Sequence, residues 1–169
     1  MEKKQTHIPY GFITALVMVV VTALLEVTKL SDKTGMQWIS VLVFAVGIIM
    51  NARAYSAAND ANVTFGQVFG SCFKASAIVA LVMMLWGYLS FMIFPGMEAR
   101  MIEKMQQDMA DNSKISEEQA EKTVKWMQEH LRLMIVGGAL FGMLLYGVIS
   151  SLIGAAIAKK APRQQFDIQ

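Results

Sequence analysis

The sequence predicts an all-α membrane protein: a four-span transmembrane helical bundle with an amphipathic helical hairpin between spans three and four. Three observations carry this. Four long apolar blocks run from about Ile8 to Leu25, Met36 to Met50, Ala75 to Phe94 and Leu133 to Ala158. Charge is segregated, with none between Ala75 and Pro95 and none between Leu133 and Ala158. The segment from Gly96 to Arg132 is different in kind, being highly charged yet periodic.

A bilayer core about 30 Å thick needs roughly 20 mostly apolar residues to cross it. The third and fourth blocks meet that length directly. The first meets it by running past Glu26 to Leu30, and the second by running on to about Ala58. Hydrophobic residues make up 55% of the 169 and charged residues only 17%, against roughly 25% charged in soluble domains. A helix buried in a soluble core shows a polar stripe, whereas these blocks are apolar all round. The whole chain is expected to be a single membrane domain, with spans at about 8–30, 36–58, 64–94 and 131–160 and an extramembrane hairpin at 96–131.

The elements follow in order. Pro9 suits the first turn of span one, where a missing N–H costs nothing. Lys3 and Lys4 ahead of an apolar run also permit a signal peptide with Val21-Thr22-Ala23 as a poor cleavage site. The run of about 16–18 residues exceeds the usual h-region of about 7–15, which favours an uncleaved span. Ser31 to Gly35 is a short turn, so spans one and two must be antiparallel neighbours. Trp38 sits where an interfacial aromatic anchor is expected. Span two passes Asn51 and Arg53. Asn59-Asp60-Ala61-Asn62 has turn chemistry, and Thr64 is a suitable N-cap for span three, which Pro95-Gly96 ends.

In the hairpin, Met97, Met101, Met105 and Met109 recur every four residues beside Ile102, the pattern of an amphipathic helix. Asp111 to Lys114 breaks it. Ser116 and Gln119 form a capping box for the next helix, whose apolar face is Ala120, Val124, Met127 and Leu131. Nothing then breaks the chain, so one helix is expected from Glu117 to about Lys160.

The basic residues near membrane ends set orientation. The side of both termini and the 51–74 loop carries Lys3, Lys4, Arg53, Lys74, Lys159, Lys160 and Arg163. The other carries Lys29, Lys33, Arg100, Lys104, Lys114, Lys122, Lys125 and Arg132. The numbers nearly tie, but the hairpin also holds eight acids, Glu98, Glu103, Asp108, Asp111, Glu117, Glu118, Glu121 and Glu129. The tails and the short loop therefore point to cytoplasmic termini and an external hairpin.

Tyr10-Gly11-Phe12-Ile13-Thr14, Thr64-Phe65-Gly66-Gln67-Val68-Phe69, Phe94-Pro95-Gly96 and the closing run from Gly147 to Lys160 occur in an order that resembles the DUF4199 family. The resemblance spans nearly the whole chain and implies a small integral membrane protein of a kind found largely in Bacteroidetes. It implies an architecture and no catalytic residues, because the family has no established activity.

Several functions are disfavoured. There is no HExxH, Walker A, GxSxG or GxGxxG, so no enzyme is expected, nor any catalytic, cofactor or metal residue. A net charge of +2 without a basic patch interleaved with aromatics argues against nucleic acid. Cys72 is the only cysteine, which excludes an internal disulfide and a cysteine-based zinc site, and it reads as a packing residue. His7 reads as interfacial. Glu26, paired with Lys29, and Arg53 and Lys74, snorkelling at the opposite face, read as charges at helix ends.

Two features suggest more. Gly138 and Gly142 form a GxxxG, continued by Gly147, Ser151 and Ala155. Such stripes allow close helix approach, here expected within the bundle or, failing that, as a homo-oligomer face. Thioethers are soft copper(I) ligands, and Met127, His130 and Met134 share a helix face that Met101 or Met105 could join. Methionine more often fills helix interfaces. The sequence thus favours a non-enzymatic protein acting by association with itself or an unknown protein partner, in contact with the lipid bilayer. The alternative is a subunit of a small transporter or channel, signalled by a wet cavity lined by Asn51, Arg53, Gln67 and Lys74. Extracytoplasmic copper binding is a third.

Overall fold

The structure, a computed structural model, describes residues 3–33, 35–110 and 117–161. Every long element is a helix, and no strand occurs among the described residues. The order is α1 (His7–Val27), a single 3-10 turn (Leu30–Asp32), α2 (Gln37–Ala58), α3 (Phe65–Ile93), α4 (Met97–Ala110) and α5 (Glu117–Ile157).

Local chemistry explains the ends. Span one stops at Val27, three residues short of the expected Leu30. Lys29 takes a left-handed conformation with φ 55°, and the amides of Thr28 and Lys29 close back onto Leu24 and Glu26. That geometry ends a helix as glycine usually does, and Gly35, at φ 92°, then turns the chain toward α2. The start of α3 is a reciprocal capping box. The Gln67 amide N–H donates to Thr64 Oγ1 at 3.3 Å, and the Thr64 amide to Gln67 Oε1 at 3.0 Å. Gly96, at φ 87°, makes the turn after Pro95. The 41 residues of α5 form one unbroken helix, about 62 Å at 1.5 Å per residue. The predicted break at Asp111 to Lys114 and the Ser116 cap lie outside the described residues.

Among the described residues, four helical segments are long and apolar enough to cross a membrane: His7–Val27, Trp38–Ala58, Phe65–Ile93 and Glu129–Ile157. They bear out a four-span transmembrane helical bundle. Internal contacts group the chain into two compact units, residues 1–83 with 142–169, and residues 84–141.

In the first unit, glycines show which helices touch. A Cβ at Gly47 would overlap the Thr14 hydroxyl and methyl, joining α2 to α1. One at Gly11 would lie 3.0 Å from Ile78 Cβ, joining α1 to α3. One at Gly147 would lie 2.8 Å from Ser76 Cβ, joining α5 to α3. One at Gly154 would lie 3.0 Å from Ala52 Cβ, joining α5 to α2. The four segments therefore close a ring in the order α1, α2, α5, α3. Ala15, Ala52, Cys72, Ala75 and Ala155 line its interior with Ile48, Val68 and Val79.

The outward faces are more apolar than the interior. Phe12, Leu16, Leu24, Leu42, Val46, Leu81, Ile149 and Ile157 are all exposed, while Thr14, Asn51, Ser56, Ser71, Ser76, Ser150 and Ser151 are buried. Water would penalise such a surface, and hydrocarbon does not. Small and hydroxylated residues between helices are what close packing in lipid favours.

In the second unit, Met97, Met101 and Ile102 of α4 are half-buried, while Glu103, Lys104, Gln106 and Gln107 are exposed. This is the predicted amphipathic division. On α5, Leu131 is buried and Val124 half-buried, while Lys122, Lys125 and Trp126 are exposed. Trp86 meets Phe94 edge to face, with centroids 6.4 Å apart.

Candidate functional site

The most organised polar structure lies inside the first unit, around Asn51. Span two buries this amide completely. Thr6 stands at the N-cap position of α1 but makes no side-chain cap to its own helix. Its hydroxyl instead donates to Asn51 Oδ1 at 2.8 Å. Asn51 Nδ2 donates to Ser71 Oγ at 3.3 Å and approaches Cys72 Sγ at 3.7 Å. The Cys72 thiol in turn points to the Ile48 carbonyl at 3.6 Å. One side chain thus ties α1, α2 and α3 together. An unmet polar group here would cost about 1–3 kcal/mol, so the network fixes helix register. Ser76 donates to the Cys72 carbonyl at 3.0 Å. Ser151 Oγ and His7 Nδ1 are buried atoms without a hydrogen-bond partner among the described residues.

Next to this core, residues 3–4 and 159–161 fasten onto the end of α2 and the turn between α2 and α3. The Lys4 amide donates to Asn59 Oδ1 at 2.9 Å, and Asn59 Nδ2 returns a bond to the Lys4 carbonyl at 3.1 Å. Lys3 Nζ donates to the Asn62 carbonyl. From the other terminus, the Ala161 amide donates to the Ala61 carbonyl at 2.7 Å, and the Lys159 carbonyl accepts from Ser56. Asp60 and Ala61 both have positive φ, 53° and 58°, a conformation costly for alanine. The clasp holds it in place.

The residues singled out from sequence do not gather into one site. Gln67 belongs to the capping box. Asn51 belongs to the buried network. Arg53 and Lys74 are exposed. Glu26 accepts a hydrogen bond from Ser31 at 2.9 Å. His130 stacks on Trp126, with centroids 5.1 Å apart, and its Nδ1 lies 3.0 Å from the Trp126 carbonyl of its own helix. Met134 is exposed and Met101 half-buried. The side chains of Met105, Met109 and Met127 lie outside the described residues. No group of three or more His, Cys, Asp or Glu gathers among the described residues.

One expectation is corrected. Packing within the bundle was expected at Gly138 and Gly142, yet a Cβ at either position meets nothing within 4 Å among the described residues. The later part of the stripe does pack within the first unit: Ser151 and Ala155 are buried, and the close approaches of α5 fall at Gly147 and at Gly154. These are seven residues apart and so share a helix face. The sequence does not single out Thr6, Ser56 or Ser71, and it marks Asn59 to Asn62 only as a turn. The available signal was Asn51 itself, an amide inside an apolar run.

Four spans, an apolar exterior and a small-residue interior define a multi-pass helical membrane protein. Within that class, the chain belongs to the family described as "Protein of unknown function (DUF4199)", whose model matches residues 9–160. No curated protein matches the chain, and no solved structure does.

Proposed function

We propose that this protein is a non-enzymatic component of a bacterial inner membrane, with both termini cytoplasmic, that works by association with a protein partner or with itself. The observation that supports this best is the interior of the first unit. Its helices meet at Gly11, Gly47, Gly147 and Gly154, and its central amide is bonded to Thr6 and Ser71. Of the four residues named for a transport cavity, Asn51 is hydrogen-bonded within the helix core and Gln67 within a capping box, while Arg53 and Lys74 are exposed.

Self-association through Gly138 and Gly142 belongs to the same reading, because both positions have room for a neighbouring helix. A second reading, a subunit of a small transporter or channel, draws on the buried hydroxyls Ser71, Ser76, Ser150 and Ser151. The test places a photoreactive residue at Gln106, on the exposed face of α4, in living cells. The association reading expects one discrete adduct, either of doubled mass or with a single partner. Labelling of lipid alone would refute it.

A further inference from the structure

The end of the first unit that carries the clasp is strongly basic. Lys3 and Lys4 lead into α1, Arg53 lies five residues before the end of α2, and Lys74 lies nine residues into α3. Lys159 and Lys160 follow α5. Among the described residues of these segments the one acid is Asp60. Lys4, Arg53, Lys74 and Lys159 are exposed. The hydrogen bonds of Lys3, Lys4 and Ala161 to residues 59–62 place Lys3, Lys4, Lys159 and Lys160 beside the turn between α2 and α3.

Two local features make this more than a scatter of lysines. Phe65, Phe69 and Phe73 form a ladder down α3, with successive centroids 6.5 and 6.1 Å apart and rings within 9° of parallel. Phe65, at its head, is 45% exposed. The Lys160 ammonium lies over the Phe65 ring, 5.9 Å from its centroid. It is held there by the Ala155 carbonyl at 2.6 Å and the Ala158 carbonyl at 3.3 Å. A cation fixed at a helix C-terminus and over a phenyl face is positioned before any ligand arrives. Below it Phe69 and Phe73 are half-buried, with Phe69 packed against the core, so the ladder keeps a partly open apolar edge. A fixed positive head above an apolar track matches an amphiphile with an anionic head.

We propose that this end of the first unit is a binding surface for anionic phospholipid. The headgroup sits among Lys4, Arg53, Lys159 and Lys160, and an acyl chain lies along Phe65, Phe69 and Phe73. The proposal goes beyond the association reading and stands independently of it.

The test uses the purified full chain in an uncharged detergent, melted with added phosphatidylglycerol or phosphatidylcholine. A saturable rise in Tm with phosphatidylglycerol alone is expected. Replacing the four cations of the site together (Lys4→Gln, Arg53→Gln, Lys159→Gln, Lys160→Gln) should weaken its apparent affinity about tenfold or more, since juxtamembrane cations act jointly on anionic lipid. Lys29→Gln with Lys33→Gln, at the far end of α1, should leave it unchanged. Equal response to both lipids, or full retention in the fourfold variant, overturns the proposal. So does an equal shift from glycerol phosphate, which would mean a small-anion site, or displacement of the lipid by an oligoglutamate peptide, which would mean an acidic protein segment. Should the fourfold variant not fold, raised salt must weaken the phosphatidylglycerol shift of the unmodified chain; a salt-independent shift contradicts the assignment.

Discussion

Substituting alanine for two glycines of α5 should have opposite effects. At Gly147 the added methyl would lie 2.8 Å from Ser76 Cβ, where ordinary contact begins at 3.4 Å. Ser76 Cβ is fixed to its backbone and cannot rotate away, so α5 and α3 must separate by roughly 0.6 Å. Overpacking of this kind costs about 1–3 kcal/mol. Replacing glycine by alanine in a helix returns about 1 kcal/mol, which leaves Gly147→Ala destabilised by about 0–2 kcal/mol. At Gly142 the methyl meets open space, so only the helix-propensity gain of up to about 1 kcal/mol applies. Reversible unfolding in mixed micelles measures both variants against the parent. Ser76→Gly removes the obstructing atom, so the pair with Gly147→Ala should show a coupling of about 1 kcal/mol or more in a double-mutant cycle. Equal effects of the two alanines, or no coupling with Ser76, would refute the helix contacts deduced here.

Other outcomes follow from the same geometry. Asn51→Ala removes the partner of Thr6 and Ser71 and should lower stability by about 1 kcal/mol, judged against the typical worth of hydrogen bonds between membrane helices. Ala61→Gly should raise stability slightly, because the left-handed conformation at φ 58° costs alanine about 1–2 kcal/mol. That exceeds the roughly 0.4–1 kcal/mol of unfolded-state entropy that glycine adds. Gly142→Leu should not lower the monomer's melting, since leucine shares most of alanine's helix propensity, but should break a dimer seen by crosslinking. Topology reporters at residues 5 and 62 should lie in the cytoplasm and those at 33 and 104 outside; agreement between 62 and 104 would contradict four spans.

Much of the fold is legible in the sequence because apolar length and charge segregation are strong signals in lipid. The α4 face is legible because Met97, Met101 and Ile102 contrast with Glu103, Lys104 and Gln107. The spans carry no such contrast, so their inward faces cannot be read. The same stripe of small residues that includes Gly147 also includes Gly138 and Gly142, and nothing in composition tells close approach from open space. The end of α1 is obscure for a different reason. Lysine, not glycine, occupies the left-handed position at Lys29. The polar core and the clasp join residues far apart in the chain, Thr6 to Asn51 and Ala61 to Ala161. Only the closed ring of helices brings them together.

The proposed association reading requires that the interior of the first unit be closed to water. Single cysteines at Ser71, Ser76 and Ser151, in a Cys72→Ala background, test this directly with a small membrane-impermeant thiol reagent applied to either side of sealed vesicles. All three positions are buried. The account predicts no labelling from either side until the protein is unfolded. Labelling of Ser76→Cys or Ser151→Cys in the native membrane would reveal a water-filled path between the spans and contradict it in favour of transport.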